Sequence, residues 1–115
     1  MLYQPINPDL NSLSDTLEKY PRRRVLLFKV MEEIMRNLSP FNKQTRQLLF
    51  AYTSDLNQCR LSYDYHKAAS LASGLDESVF AALKTDINSA KIDDKLKPIL
   101  RFIKKLTLTP DQITQ

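Results

Sequence analysis

Four side chains capable of chemistry fall within eight residues of one another: Cys59, Ser62, Tyr63 and His66. Their spacing, i, i+3, i+4 and i+7, sets all four on one face of a helix, where they can act together. A cysteine attacks as thiolate, a form promoted by a nearby imidazole or a helix N-terminus, and the sequence predicts Cys59 in the first turn of its helix. His66 is two turns away, too far for a direct hydrogen bond without a bridging water, whereas Ser62 is one turn from it. The same residues admit quieter readings. A lone cysteine can be a small buried hydrophobe and a lone histidine a structural residue. Tyr52, Tyr63 and Tyr65 can be core or interface residues whose hydroxyls reach a partner. No metal site is expected, because one Cys and one His at this spacing need carboxylate help and Asp64 falls on a different face from His66.

These residues need helices to position them. Residues 1–7 read as an irregular arm, and Asp9 to Tyr20 as a short helix stopped by Pro21. From Arg22, Leu26, Leu27, Val30, Met31, Ile34, Met35 and Leu38 recur at helical spacing until Ser39-Pro40 ends the helix. A helix from about Lys43 to Asp55 carries Leu48, Leu49, Tyr52 and Leu56 inward. The motif helix follows from about Gln58 to Ser73, and Gly74 and Asp76 read as its stop and the next N-cap. A helix over Glu77 to Ile87 presents Val79, Phe80, Leu83 and Ile87. The last, from about Asp94 to Leu106, presents Ile99, Phe102, Ile103 and Leu106, with an irregular start imposed by Pro98. Thr109-Pro110-Asp111 begins one further turn. The organisation expected is an arm and short helix over 1–20 and one domain over 21–115, without internal repeats.

Composition sets limits on this picture. A chain of 115 residues with 43% hydrophobic side chains suffices for one core, and a single glycine disfavours hairpins and favours an all-α fold. One cysteine excludes a disulfide-stapled framework and fits a reducing, cytoplasmic setting. Neither secretion nor membrane insertion is expected, since the start shows no basic segment followed by an apolar one and no apolar run approaches the ~20 residues of a span. The net charge of +4 is dispersed. Arg22-Arg23-Arg24 and Lys104-Lys105 read as solvated helix faces, and without aromatic interleaving nucleic acid is not expected as a partner. The helix of residues 22–38 and the motif helix carry more apolar residues than a small monomer buries, which points to subunit contacts.

The run Thr45-Arg46-Gln47-Leu48, then Leu56-Asn57-Gln58-Cys59-Arg60-Leu61-Ser62-Tyr63-Asp64-Tyr65-His66, Ala68-Ala69 and Gly74-Leu75-Asp76-Glu77, resembles the alkylhydroperoxidase AhpD-like, or carboxymuconolactone decarboxylase, family. The similarity continues through Ile92-Asp93 and the stretch from Arg101 to Thr107, ending at Thr109-Pro110. The resemblance implies a helical bundle of about five to six helices, assembled as a homo-oligomer, commonly a trimer or hexamer, with no cofactor. Its motif is Cys-x-x-Cys-x-x-x-His, preceded one helix earlier by Arg-Glu-Leu. Cys59 matches the first cysteine and His66 the histidine, while Ser62 stands where the second cysteine belongs and Gln47 where the glutamate belongs. In members with the full motif, the glutamate and histidine help deprotonate the second cysteine, which attacks peroxide and then forms a disulfide with the first.

Both departures strike that mechanism. A serine cannot enter a disulfide, and a glutamine cannot accept and return a proton. Relative to longer members the chain also stops early. Three functions follow as expectations: a family scaffold without the two-cysteine peroxidase cycle; a one-cysteine thiol enzyme in which Cys59 reacts with peroxide and an external thiol resolves the product; or a lyase in which His66 transfers a proton on a small lactone acid.

Overall fold

The computed structural model describes residues 12–114. Six α-helices lie among them: α1 (Leu13–Lys19), α2 (Pro21–Arg36), α3 (Lys43–Leu56), α4 (Arg60–Ala72), α5 (Ser78–Thr85) and α6 (Leu96–Leu108). Single 3₁₀ turns at Ile87–Ser89 and Pro110–Gln112 complete the elements, and the described residues contain no strand. The fold is all-α. Two compact units divide the chain, the first ending at Leu38 and the second beginning at Ser39. A boundary at Tyr20/Pro21 falls inside the first unit, between its two helices.

In the first unit, Ser12 caps α1 by accepting the Asp15 N–H at 3.1 Å. Asp15 in the first turn and Lys19 in the last complement the helix dipole. The expected arm and the start at Asp9 lie outside the described residues. Pro21 does more than stop α1: it occupies the first position of α2, where its fixed φ suits a helix and its missing N–H costs nothing. α2 ends at Asn37, whose ψ of 171° is extended, so Leu38 lies beyond it. No residue of α2 is buried.

The second unit is built on an antiparallel pair. α3 starts where Asn42 Oδ1 accepts the Thr45 N–H at 2.8 Å. It ends in a Schellman turn: Gln58 N–H donates to Asp55 O at 3.0 Å and Cys59 N–H to Ser54 O at 2.9 Å, with Gln58 in the left-handed region at φ 56°. α4 ends in the same motif, with Gly74 at φ 95°, Gly74 N–H to Leu71 O at 2.9 Å and Leu75 N–H to Ser70 O at 3.2 Å. The sequence reading began the motif helix at Gln58; a residue at positive φ cannot be helical, so α4 starts two residues later.

The core of this unit joins Leu48, Ala51 and Tyr52 of α3 to Tyr63 of α4, Val79, Phe80 and Leu83 of α5, Ala90, and Leu100 of α6. Tyr63 and Phe80 meet edge to face with centroids 6.2 Å apart. Two lysines seal the rim. Lys84 reaches Asp55 at 3.6 Å and lies 5.1 Å over the Tyr63 ring, and Lys67 reaches Glu77 at 3.5 Å and lies 5.4 Å over Phe80. α5 stops at Thr85 because Asp86 turns extended and its carboxylate accepts the Asn88 N–H at 2.9 Å, starting the 3₁₀ turn that holds Ile87. Pro98 is the third residue of α6, where an N–H has no acceptor within the helix, so it is tolerated. Phe102 and Leu106, expected inward, are each 52% exposed, and Leu100 is fully buried instead. The apolar arc of α6 is wider than the surface it packs against, which leaves one edge in solvent.

The paired Schellman turns give opposite expectations for glycine. Gln58→Gly relieves a left-handed side chain and is expected to stabilise by about 0.5–1 kcal/mol, whereas Gly74→Ala imposes that strain and costs about 1 kcal/mol or more. Urea denaturation midpoints of the two variants check both signs. A destabilised Gln58→Gly would mean the side chain contributes more than its backbone costs.

Candidate functional site

The residues with chemical potential lie along the α3–α4 seam, and the seam has a polar thread. At one end Gln44 Nε2 donates to Ser73 O at 3.1 Å and Ser70 Oγ donates to Gln44 O at 3.3 Å. In the middle His66 Nδ1 meets Gln47 Oε1 at 2.7 Å. At the other end Ser54 Oγ and Ser62 Oγ are 2.8 Å apart. Among the described residues, no buried side-chain nitrogen or oxygen lacks a partner, as an interior polar contact requires.

The central pair fixes the protonation of the histidine. A glutamine oxygen only accepts, so the ring proton sits on Nδ1 and Nε2 carries the lone pair. Gln47 and His66 are both buried at 9% exposure. The Phe50 ring lies 5.0 Å from the imidazole, tilted, and the Tyr65 ring 5.1 Å away, edge-on. Burial disfavours the imidazolium and pushes the His66 pKa below its ordinary value of 6.5. A carboxylate at position 47 would hold the charged ring; the neutral amide does not. The imidazole is uncharged near pH 7.

The outer pair consumes the serine. Ser54 Oγ donates its one proton to Phe50 O at 2.8 Å, so Ser62 must donate to Ser54. Ser62 is therefore engaged with α3, and no hydrogen bond joins it to His66. Cys59 stands apart from both pairs. It is the residue before α4, not in its first turn, with φ −89° and ψ 85° and no side-chain cap bond. It is exposed, in a shallow depression of about 220 Å³ shared with Ser54, Asp55, Gln58, Arg60 and Tyr63. Arg60 turns instead to Asp64 at 2.9 Å.

The structure thus brings Gln47 to His66 and Ser62 to Ser54, and does not assemble Cys59, Ser62, Tyr63 and His66 into one working face. The difference arises at Gln58, whose left-handed turn releases Cys59 from the helix. Tyr63 belongs to the core and Tyr65 is exposed, while Tyr52 is buried, and burial together with Asp55 raises its pKa. Gln44, Ser54 and Ser70 are seam residues that sequence reasoning missed. Their signal is the run Gln44, Gln47, Ala51, Ser54 at spacings of three and four, opposed by Ser62, His66 and Ser70. Small and polar residues at helical spacing on a buried face mark such a seam. A larger open cleft of about 730 Å³ lies at the other end of α3, between Phe41, Thr45, Leu75, Lys91, Ile92 and Lys95 among others, and none of Gln47, Cys59, Ser62 or His66 lines it.

No group of His, Cys, Asp or Glu among the described residues could hold a metal ion. No helix among them is long and apolar enough to cross a membrane. No family model, no curated protein and no solved structure matches the chain.

His66 is the only histidine, which makes its titration separately readable. Its ring proton signals are expected to titrate below 6.5 in NMR, and Gln47→Glu to move that midpoint upward by supplying a counter-charge. The linked stability effect has a definite sign: the unfolded ring protonates first, so stability is full above pH 6.5 and declines as the pH falls below it. The decline between pH 6.5 and 5, read from urea midpoints, is expected to vanish in His66→Gln.

Proposed function

We propose that the unit from Ser39 onward is an AhpD-like domain that lacks two-cysteine peroxidase turnover and acts as a binding or assembly module. The observation that carries this reading is the closed Gln47–His66 hydrogen bond at 2.7 Å, buried on both sides. Positions that resemble the family's proton-relay pair are joined to each other through a group that cannot relay a proton. The position resembling the family's attacking cysteine is Ser62, whose hydroxyl is committed to Ser54. Together these place the residues of the resemblance in a structural seam between two helices, with the one thiol outside it.

A second reading is favoured by the exposure of Cys59. In it the Cys59 thiolate attacks one oxygen of a hydroperoxide and the O–O bond breaks. The products are a sulfenic acid on Cys59 and an alkoxide, which takes up a proton to leave as alcohol. An external thiol then condenses with the sulfenic acid, releasing water and leaving a mixed disulfide that a second thiol reduces. His66 has no contact through which to assist. The lyase reading has less support still, since His66 is the only proton-transfer group of the seam and is itself buried.

Intact-mass measurement of Cys59 oxidation under hydroperoxide separates the first two. The proposed reading expects oxidation at the rate of an ordinary free thiol, unchanged in His66→Gln, and no steady-state turnover when a dithiol reductant is added. Rapid formation of a thiol-reversible sulfenic acid, lost in Cys59→Ser, would establish the one-cysteine reading instead.

A further inference from the structure

The open cleft of about 730 Å³ beside the start of α3 takes no part in the seam. Its volume falls within the range of small-molecule sites, roughly 300–1,000 Å³. Apolar side chains from three separate stretches of the unit line it: Phe41 before α3, Leu75 after α4, and Ile92 and Ile99 before and within α6. Each is half-buried and borders open space at the same time, so this apolar wall is a concavity made by the fold and not the bare face of one helix.

The polar groups of the cleft are few, and several have no partner. Lys91, Asp93 and Lys95 are the charged residues that line it. Lys67, Lys84 and Lys97 each reach a carboxylate, whereas neither Lys91 nor Lys95 forms an ion pair among the described residues. Asp93 Oδ1 accepts the Lys95 N–H at 3.0 Å. Asp76, whose carboxylate accepts the Ser78 N–H at 2.8 Å, feels the charge of Lys91 without an ion pair between them. Thr45 also lines the cleft. Thr53 and Thr85 turn their hydroxyls back onto carbonyls of their own helices, but the Thr45 hydroxyl makes no hydrogen bond among the described residues.

We propose that this cleft binds a small amphipathic monocarboxylate, with its apolar body against Phe41, Leu75, Ile92 and Ile99 and its carboxylate toward Lys91 and Lys95. A largely apolar concavity with a few cationic and hydroxyl donors selects a hydrocarbon body that carries an anionic head. Two ammonium groups beside one carboxylate leave a single net positive charge, the complement of a singly charged head. A doubly charged head would meet Asp93 without a cation to match it, and a cationic head would meet two like charges. The proposal rests on the lining of this cleft and is independent of the function proposed for the seam, since none of Gln47, Cys59, Ser62 or His66 takes part.

Octanoate serves as the probe. In NMR titrations of the isotope-labelled full chain at constant ionic strength, octanoate is expected to give saturable amide shifts at Thr45, Leu75 and Ile92. It is expected to bind at least ~10-fold more tightly than octanol or octylammonium, while acetate, which has the head alone, does not saturate. Lys91→Gln with Lys95→Gln is expected to weaken octanoate binding ~10-fold and to leave octanol binding and the urea midpoint unchanged, which separates loss of the head contact from loss of the fold. Asp93→Asn keeps an Oδ1 acceptor for the Lys95 N–H and removes the opposing charge, so it tightens octanoate binding. The proposal is overturned by the absence of saturable shifts, by shifts centred on the exposed Phe102 and Leu106 instead of the cleft, by octylammonium or octyl phosphate binding as tightly as octanoate, or by a double lysine variant that binds octanoate unchanged.

Discussion

The hydrogen bond from His66 to Gln47 ties α3 to α4 at mid-length, and the surrounding packing follows from the need to keep that contact dry and aligned. A buried amide and a buried imidazole each cost several kcal/mol in apolar surroundings unless paired, so the two helices must stay in one register. Ala51 and Ser54 on α3 and Ser62 and Ser70 on α4 are small, which lets the backbones approach closely enough for short side chains to reach across. With the register set, Leu48, Tyr52 and Tyr63 fall on the faces that α5 and α6 cover.

This seam explains why residues with the appearance of a reactive cluster form a quiet one. Reactivity needs a group free to change its protonation or its partner. Here the histidine is neutral, its Nδ1 proton is held by an acceptor without acid–base chemistry, and the serine proton is passed to a hydroxyl that is itself bound to a carbonyl. Only Cys59 escapes this closure, and it does so through the backbone. The left-handed Gln58 ends α3 and swings the thiol to the surface, away from the residues it faces on an ideal helical wheel.

Sequence alone conveyed the helices well where their signals are chemical. Gly74 after Ser73 and Pro21 after Tyr20 are residues whose physics dictates a boundary, and the structure places boundaries there. The turn at Gln58 was illegible because the residue usually demanded by positive φ is glycine, and nothing in a glutamine announces it. The buried side of α6 was hard to read for a different reason. Its apolar arc is broader than one contact, and spacing gives an arc without saying which edge meets a neighbour. The pairing of Gln47 with His66 spans nineteen residues, so it lay in tertiary register, beyond the reach of local spacing.

The two units meet opposite physical demands with similar material. From Ser39 onward, four helices and the turn before Ala90 bury nine apolar side chains, and among the described residues the polar groups buried beside them are satisfied. α2 buries none, although half of its sixteen residues are apolar. An amphipathic helix is stabilised chiefly by tertiary burial of its apolar face, and propensity alone leaves a helix of this length marginal. Pro21 at the first position and the Glu32–Arg36 pair contribute only fractions of a kcal/mol each. α2 therefore lacks among the described residues of its own unit the burial that α3 and α4 obtain from one another, and that shortfall is the physical difference between the two units.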